Sequence, residues 1–217
     1  MTSLPPALKY RHNVYSQNGE DGILREMLLR LPDHTGWVCE FGAMDGKKYS
    51  NTFRLVQTQG YQAVYIESDP SSFNRLLVTA TEHPSIVPIL RRVEPTGENT
   101  LDAILAETPI PTDFDILSID IDSCDYQVWD SVKVYRPRIV VVEIESTIPP
   151  TRFDSIHGSG SPNGTGFLPM TMLGITKGYT LVCHTGNLIF VRNDCAHLYR
   201  DIIVPAETCY IGNWIFN

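Results

Sequence analysis

The sequence predicts an α/β fold, in which a Rossmann-like, doubly wound and mostly parallel sheet carries helices on both faces. Segments with the pattern of strands alternate with segments of helical periodicity, as in a chain of parallel βα units. The segments 114–120 and 138–143 are almost continuously apolar, which is typical of parallel strands covered on both faces. Thr185 and Gly186 separate two further strand segments, and this two-residue turn predicts a C-terminal hairpin with one antiparallel strand.

Seven segments have the length and pattern expected of strands, and helices are predicted between them. The predicted strands cover 37–42, 61–67, 85–90, 114–120, 138–143, 179–184 and 187–192. The predicted helices cover 18–31, 51–59, 69–81, 99–108 and 126–134, and another lies within 165–178. Gly60 follows the second of these helices as its expected C-cap, and Pro70 falls in the first turn of the third.

The composition predicts one domain, residues 1–217, with a full hydrophobic core. A formal net charge of −8 argues against a nucleic-acid partner. The N-terminus lacks the apolar stretch of a signal peptide and no run is long enough to span a membrane, so we expect a cytoplasmic protein without a membrane partner. The five cysteines, which lack CxxC spacing, are expected to be reduced thiols. The apolar segment 210–216 is expected to pack on the chain's own sheet, and the oligomeric state stays open, a homodimer being one alternative.

Acidic side chains end four of the predicted strands. They are Glu40 and Asp45 after the first strand, Glu67 and Asp69 after the second, Asp120, Asp122 and Asp125 after the fourth, and Glu143 and Glu145 after the fifth. In a doubly wound sheet, ligands bind beyond the carboxyl ends of the strands, where the strand order reverses. The acids therefore predict a ligand site at that edge of the sheet.

The stretch WVCEFGAMDG, residues 37–46, joins a buried strand to a turn that holds two glycines and two acids. Gly42 and Gly46 allow the backbone to approach a ligand. The turn lacks the third glycine of the dinucleotide fingerprint and no GK[ST] follows. Glu40 and Asp45 would repel a pyrophosphate, so a cationic, hydroxyl-rich ligand fits better. S-adenosylmethionine has a sulfonium, an ammonium and a ribose diol.

Glu67 follows Gly46 by 21 residues, at the end of the second predicted strand. An acid at this place in a nucleotide-binding sheet accepts hydrogen bonds from both ribose hydroxyls. Such a contact is made to adenosyl ligands as well as to NAD, so Glu67 predicts the ribose site without choosing between these cofactors.

Seven segments between about residues 14 and 193 match one known family in order. The segments are SQNGEDGIL (16–24), CEFGAMDGKKYSNT (39–52), VYIESDPSSFNRL (64–76), GENTLDAIL (97–105), DFDILSIDIDSCDYQVWDSV (113–132), YRPRIVVVEIESTIP (135–149) and GYTLVCHTGNLIFV (178–191). They resemble FkbM-type S-adenosylmethionine-dependent methyltransferases, most closely a bacterial subgroup with SQNGED and SIDIDGxDYxVW motifs. Ser123, where the subgroup usually has glycine, and the stretch IESTIPP after the fifth strand depart from that pattern.

The resemblance implies a seven-stranded methyltransferase sheet, S-adenosylmethionine as cofactor, and O-methylation of a sugar, glycan or other small-metabolite hydroxyl. It also implies that an N-terminal cap segment, residues 1–35, folds over the cofactor. Together with the charge argument it predicts a set of cofactor-binding residues. They are Gln17, Glu20, Glu40, Gly42, Ala43, Asp45, Ser50, Asn51, Thr52, Glu67, Ser68, Asn99 and Asp120.

The expected reaction is in-line displacement of the methyl group from the sulfonium to an acceptor oxygen. Alignment of the reactants can supply about 7–11 kcal/mol, and a positioned base typically contributes about 10²–10⁴-fold. The predicted catalytic residues are Asp120, Asp122, Glu143 and His157, with Asp120 at the junction of cofactor and acceptor. His157 lies in a Gly- and Ser-rich segment, 150–166, expected to be a flexible acceptor loop, whereas His184 in the hairpin is expected to be structural.

Three alternatives remain at the level of sequence. Asp120, Asp122, Asp125 and Glu143 offer oxygen ligands suited to Mg²⁺ or Mn²⁺, which would make the enzyme a metal-assisted O-methyltransferase. A nicotinamide-dependent sugar oxidoreductase would use the same sheet, although the acids at the glycine turn disfavour it. A non-catalytic adenosyl-binding protein would keep the fold without methyl transfer.

Overall fold

A seven-stranded sheet forms the centre of the computed structural model, which describes residues 4–212. Its strands are β1 (Trp37–Phe41), β2 (Gln62–Glu67), β3 (Ile86–Leu90), β4 (Ile116–Ile119), β5 (Ile139–Glu143), β6 (Tyr179–His184) and β7 (Asn187–Arg192). Their order across the sheet is β3-β2-β1-β4-β5-β7-β6. β7 is antiparallel to both of its neighbours and the remaining pairs are parallel, which confirms the predicted fold class.

Helices connect these strands and cover both faces of the sheet. The α-helices of the described residues are α1 (Glu20–Arg30), α2 (Phe53–Gln59), α3 (Pro70–Glu82), α4 (Leu101–Ala106), α5 (Asp125–Ser131), α6 (Phe167–Thr176) and α7 (Ala206–Cys209). Short 3-10 helices add Pro6–Tyr10, Gly97–Asn99 and Ala196–Tyr199. The six predicted helices are all present with ends shifted by a few residues, and α7 is an addition.

The ends of three helices show how local chemistry sets their bounds. Gly60 adopts the left-handed conformation expected of the C-cap of α2, with φ 71°. Asp69 caps α3, because its carboxylate accepts the backbone N–H of Ser72. The helix predicted over 99–108 corresponds to α4, which begins at Leu101. It begins there because the Thr100 hydroxyl accepts the N–H of Ala103 and so caps the helix.

Alternate residues of each central strand enter two separate cores. In β1, Cys39 and Phe41 pack into the cluster that contains Trp129 of α5, whereas Val38 packs into the cluster that contains Met27 of α1. This division follows from the two-residue period of a strand. With apolar layers on both faces, the polar groups of the sheet concentrate at the ends of its strands.

The part of the chain from residue 4 to residue 212 contains no helix able to cross a bilayer. The longest described helix, α3, has 13 residues, whereas a membrane span needs about 20.

All five cysteines are free thiols. Of the apolar segment 210–216, Tyr210 packs against the first of the two cores and Ile211 against the second. Residues 213–216 lie outside the described part of the chain.

Candidate active site

A cleft of about 370 Å³ opens at the carboxyl ends of β1, β2, β4 and β5, and we call it the strand-end cleft. It lies where β1 and β4 are neighbours and the strand order reverses, which is the ligand position of doubly wound sheets. Its size falls within the range of about 300–1,000 Å³ that is usual for ligand sites. It is lined by Gln17, Glu40, Gly42, Met44, Lys48, Tyr49, Asn51, Glu67, Ser68, Ser72, Asp120, Ile121, Asp122 and Glu143.

The floor of the cleft depends on a close approach between the ends of β1 and β4. Gly42 has φ 76°, and a Cβ atom at this position would lie 1.7 Å from the carbonyl oxygen of Asp120. No other residue fits there without displacing the backbone of β4. The N–H groups of Gly42 and Ala43 both donate to the carbonyl of Ile66, so the turn is also fixed to β2.

Glu67 ends β2 and holds three backbone donors. Its Oε2 accepts the N–H of Met44 at 2.7 Å, and its Oε1 accepts those of Ser68 and Asp69, each at 2.7 Å. A carboxylate has about four acceptor sites, so Oε2 keeps capacity for a ligand donor. The carboxylate is therefore fixed in position at the wall of the cleft before any ligand arrives.

Glu40 is the buried acid of the glycine turn. Its Oε2 accepts hydrogen bonds from the Ser50 hydroxyl at 2.9 Å, the Thr52 hydroxyl at 2.6 Å and the Thr52 N–H at 3.1 Å. Burial raises the pKa of Glu40 to about 7, while the bonds from Thr52 and Ser50 oppose the rise. Ser50 and Thr52 thus position Glu40 instead of lining the cleft themselves.

Asp120, Asp122 and Glu143 form an acidic trio in which each residue offers an oxygen within 4.8 Å of the others. The carboxyl groups of Asp120 and Glu143 share a hydrogen bond. Burial, followed by the charges of the neighbouring acids, raises the pKa of both groups, and the rise is larger for Glu143. The pair therefore shares one proton at neutral pH, which leaves one negative charge on the two carboxyl groups.

The turn after β4 is organised by a fourth acid. The Asp125 carboxylate accepts the N–H groups of Ile121 at 2.9 Å and Ser123 at 3.1 Å, and Asp125 is buried. Asp122, between these two positions, adopts a left-handed backbone with φ 57°, which is costly for a residue other than glycine. Asp125 holds the turn, and the turn presents Asp122 to the cleft.

Two smaller cavities adjoin the cleft around Glu143. The side cavity, of about 210 Å³, is lined by Gln17, Asn18, Tyr49, Asn51, Asp120, Glu143, Ile144, Glu145, Ser146, Thr147, Gly186 and Asn187. The outer cavity, of about 290 Å³, is lined by Asp122, Asp125, Glu143, Ile144, Glu145, Pro162, Asn163 and Gly164. The acidic trio therefore lies at the meeting point of three spaces, which suits a site where two ligands react.

The N-terminal segment reaches the site through buried acids at the start of α1. Asp21 Oδ2 accepts the N–H groups of Val14, Tyr15 and Ser16, each at 2.8 Å. Glu20 accepts bonds from Thr185 and Asn187 of the C-terminal hairpin through Oε1. These bonds fix the chain so that Gln17 lines both the cleft and the side cavity.

His157 and His184, the two histidines considered in the sequence analysis, have different surroundings. His157 belongs to the loop 150–166, where its Nδ1 accepts the N–H of Gly164 at 3.2 Å and its carbonyl accepts the amide of Gln127 at 2.8 Å. His184 is fully buried, with its ring nitrogens 2.8 Å from the Ser146 hydroxyl and 3.2 Å from the Ile211 nitrogen. Burial lowers the pKa of His184 to about 4, so it is a neutral, structural histidine.

The structure brings most of the predicted acids to one site. The predicted residues on the walls of the cleft are Gln17, Glu40, Gly42, Asn51, Glu67, Ser68, Asp120, Asp122 and Glu143. The predicted residues off the walls of the three cavities are Glu20, Ala43, Asp45, Ser50, Thr52, Asn99 and His157. Of these, Asp45 accepts the N–H groups of Lys47 and Lys48 and so shapes the glycine turn.

Sequence reasoning missed several wall residues, of which Tyr49 is the most informative. Its backbone is left-handed, with φ 63°, its side chain is 49 % exposed, and it lines both the cleft and the side cavity. A strained aromatic at a cavity is a functional candidate. Lys48 beside it is the one cation on the cleft wall. Both lie in the segment CEFGAMDGKKYSNT, but nothing in the sequence singled out either side chain, because their positions at the cleft follow from the turn conformation.

No protein-family profile matches the chain, and neither does any curated protein. Solved structures do match. A carbon methyltransferase, CurJ, superimposes with a TM-score of 0.53 over 85 % of this chain and 56 % of that chain, at 9 % identity. The N-terminal domain of EvdMO1, in the presence of S-adenosylhomocysteine and D-fucose, gives a TM-score of 0.51 over 85 % and 91 %, at 12 % identity.

A third structure, of an S-adenosylmethionine-dependent methyltransferase from Aquifex aeolicus, gives a TM-score of 0.50 over 81 % of this chain and 88 % of that chain, at 10 % identity. This chain spans little more than half the length of the CurJ chain. At such low identities the likeness concerns the fold. The chain therefore has the Rossmann-like fold of S-adenosylmethionine-dependent methyltransferases.

Proposed function

We propose that this protein is an S-adenosylmethionine-dependent methyltransferase that methylates a hydroxyl group of a sugar, glycan or other small metabolite. The observation that carries the proposal is the strand-end cleft, which places Glu67 on one wall and the acidic trio on another. An FkbM-type relationship, proposed from the sequence motifs alone, supports the same activity. Because a neighbour of this fold is a carbon methyltransferase, the choice of oxygen rests on the acids and not on the fold.

The cleft residues fit the parts of S-adenosylmethionine. Glu67, fixed by three backbone donors, has acceptor capacity for the ribose hydroxyls. The Asp120–Glu143 pair keeps one negative charge and, with Glu40, faces the cationic sulfonium and ammonium groups, while Lys48 and Asn51 provide donors for the carboxylate. When bound, the cofactor supplies a methyl group on a positively charged sulfur.

Asp120 is the proposed base. It shares the one negative charge of the pair with Glu143, and it lines both the cleft and the side cavity. As the acceptor oxygen bonds to the methyl carbon, the carbon–sulfur bond breaks, sulfur keeps the bonding electrons, and the hydroxyl proton passes to Asp120. Such a base typically contributes about 10²–10⁴-fold. His157 stays a catalytic prediction that depends on movement of the loop 150–166 toward the trio.

Calorimetry with three ligands tests the cofactor assignment. We expect the purified protein to bind S-adenosylmethionine and S-adenosylhomocysteine, and not NAD. Methyl transfer to hydroxylated acceptors, followed by mass spectrometry, then tests the reaction. Binding of NAD without binding of either adenosyl ligand would favour the oxidoreductase alternative. Adenosyl binding without methyl transfer to any hydroxylated compound would favour the non-catalytic alternative.

The spacing of the acidic trio supports one variant of this function, which is metal-assisted O-methylation. Asp120, Asp122 and Glu143 offer oxygens within 4.8 Å of one another, whereas Asp125 uses its carboxylate to hold the turn. Carboxylate oxygens suit Mg²⁺ or Mn²⁺, and a metal would lower the pKa of an acceptor hydroxyl. Full methyl-transfer rate after EDTA treatment would exclude this variant.

A further inference from the structure

Three residues on the walls of the strand-end cleft have a left-handed backbone although none of them is glycine. They are Met44, Tyr49 and Asp122, with φ values of 50°, 63° and 57°. For bulky side chains this conformation is an outlier, and such outliers cluster at ligand clamps and active sites. Met44 uses its N–H to hold Glu67, and Asp122 belongs to the acidic trio. A role at the site is therefore to be expected of Tyr49 as well.

Hydrogen bonds on both sides of Tyr49 keep its backbone in this conformation. Before it, the N–H of Lys48 donates to Asp45 Oδ1 at 2.7 Å. After it, Ser50 is buried, and its hydroxyl donates to Glu40 at 2.9 Å. The surrounding turn thus imposes the strain, and it directs the Tyr49 side chain outward while the next side chain is buried.

Tyr49 lies where the cleft meets the side cavity. It lines both spaces, as Asp120 does, and among residues 4–212 it is the one aromatic residue on the walls of the cleft, the side cavity and the outer cavity. Tyr49 is 49 % exposed, so its ring is available to a ligand. In the proposed reaction the methyl group passes from the cofactor to an acceptor beside Asp120, which places the reacting sulfur near this junction.

The ring of Tyr49 already receives a cation within the protein. The Lys48 ammonium lies 4.7 Å from the ring centroid, inside the range of about 6 Å over which an aromatic face attracts a cation. Lys48 is exposed and lines the cleft, so its long side chain can turn to the carboxylate of a bound cofactor. The ring is then open to another cation. The sulfonium of S-adenosylmethionine is one, whereas the sulfur of S-adenosylhomocysteine is neutral.

We propose that Tyr49 recognises the positive charge of the sulfonium and so favours S-adenosylmethionine over the neutral product S-adenosylhomocysteine. The proposal rests on the proposed function and adds a specificity-determining residue to it. The Asp120–Glu143 pair also attracts the sulfonium, through its one negative charge. An aromatic ring adds a contact of another kind, since its face attracts the charge and its apolar surface packs against the methyl group. Both attractions weaken when the methyl group has left.

Three ligands that differ in charge at one position test the proposal by calorimetry at pH 7.5. They are S-adenosylmethionine, S-adenosylhomocysteine and sinefungin, which carries an ammonium group in place of the sulfonium. Tyr49→Leu keeps an apolar side chain but removes the ring. We expect its affinity for the two charged ligands to fall about three- to tenfold more than its affinity for S-adenosylhomocysteine. Tyr49→Phe, the matched control, keeps the ring and should retain the preference of the wild type.

Glycine at the same position separates loss of the ring from loss of the fold. The left-handed backbone suits glycine, so Tyr49→Gly should melt at or above the temperature of the wild type. It should nevertheless lose the preference for the charged ligands, as Tyr49→Leu does. A residue that only shaped the turn would change the affinities for the three ligands by one common factor.

The ratio of affinities decides the outcome. If Tyr49→Leu and Tyr49→Gly weaken the three ligands equally, or leave all three unchanged, the ring does not recognise the charge and the inference is wrong, while the cofactor assignment stands. If the wild type binds none of the three ligands, the proposed function fails, and this inference fails with it.

Discussion

Glu67 links the fold to the proposed cofactor site at the scale of a single residue. The same carboxylate that faces the cleft also accepts the N–H groups of Met44, Ser68 and Asp69. Met44 has a left-handed backbone, with φ 50°. Glu67 therefore stabilises the glycine turn as well as offering an acceptor to a ribose, and a test of its binding role must keep the turn intact.

Glu67→Gln is the mildest variant for that test, because it keeps the size and one acceptor oxygen, but its NH2 group must face either the N–H of Met44 or those of Ser68 and Asp69, so its melting temperature is measured as well. We expect the affinity for S-adenosylhomocysteine to fall by about 1.5–3 kcal/mol, the worth of a hydrogen bond to a charged group. Calorimetry measures the dissociation constant, and Glu207→Gln at an exposed position of α7 is the matched control. An unchanged constant would show that Glu67 does not contact the cofactor. Glu67→Ala should lower the melting temperature in addition.

The N-terminal segment before α1 shows how one element can be fixed by a single side chain. Residues 14–16 form no regular helix or strand, and their N–H groups converge on Asp21 Oδ2. The Ser16 hydroxyl donates to the same oxygen at 2.9 Å. Since Gln17 and Asn18 follow directly and line the cavities, the bonds of Asp21 hold a wall of the site.

Asp21→Ala should loosen this wall while α1 remains folded. We expect amide hydrogen exchange at residues 14–16 to accelerate at least about tenfold, since each lost hydrogen bond to a charged group is worth about 1.5–3 kcal/mol. Exchange within β1, in the middle of the sheet, serves as the internal control. Protection at residues 14–16 equal to that of the wild type would mean that other contacts hold the segment.

At the scale of the whole molecule, several acids lie together in partly or fully buried positions at one end of the sheet. Glu40, Asp120 and Glu143 all have raised pKa values, each chiefly because of burial. Their protonated forms are favoured in the folded state. The folded protein therefore keeps protons that the unfolded chain has already released, and its stability depends on pH.

Glu40 gives this dependence a defined window. Its carboxyl has a pKa of 4.5 without the fold and of about 7 within it. Below pH 4.5 the Glu40 carboxyl is protonated in both the folded and the unfolded state, so its contribution to the free energy of unfolding is fully present. It is lost as the pH rises from 4.5 through about 7, because only the unfolded chain ionises freely. We measure the free energy of unfolding with urea across this window. That of the wild type should fall by at most about 3 kcal/mol relative to that of Glu40→Gln.

Asp130→Asn is the control for the pH series, since Asp130 is exposed. Its free energy of unfolding should follow that of the wild type at each pH. If the difference between the wild type and Glu40→Gln is constant from pH 4.5 to 7.5, Glu40 is not the titrating group.

The order of the secondary structure elements was readable from the sequence, because it depends on local periodicity. The apolar runs that became β4 and β5, and the turn at Thr185 and Gly186, predicted their strands from neighbouring residues alone. Acids at strand ends could be assigned to one edge of the sheet because the strands were predicted to be parallel. In a parallel sheet all carboxyl ends meet at that edge.

Tertiary structure alone decided which polar side chains reach the cavities and which hold the others in place. Ser50 and Thr52 donate to Glu40, and Asp125 holds the turn that exposes Asp122. Periodicity cannot separate such roles, because a buried hydrogen-bond partner and a wall residue have the same chemistry.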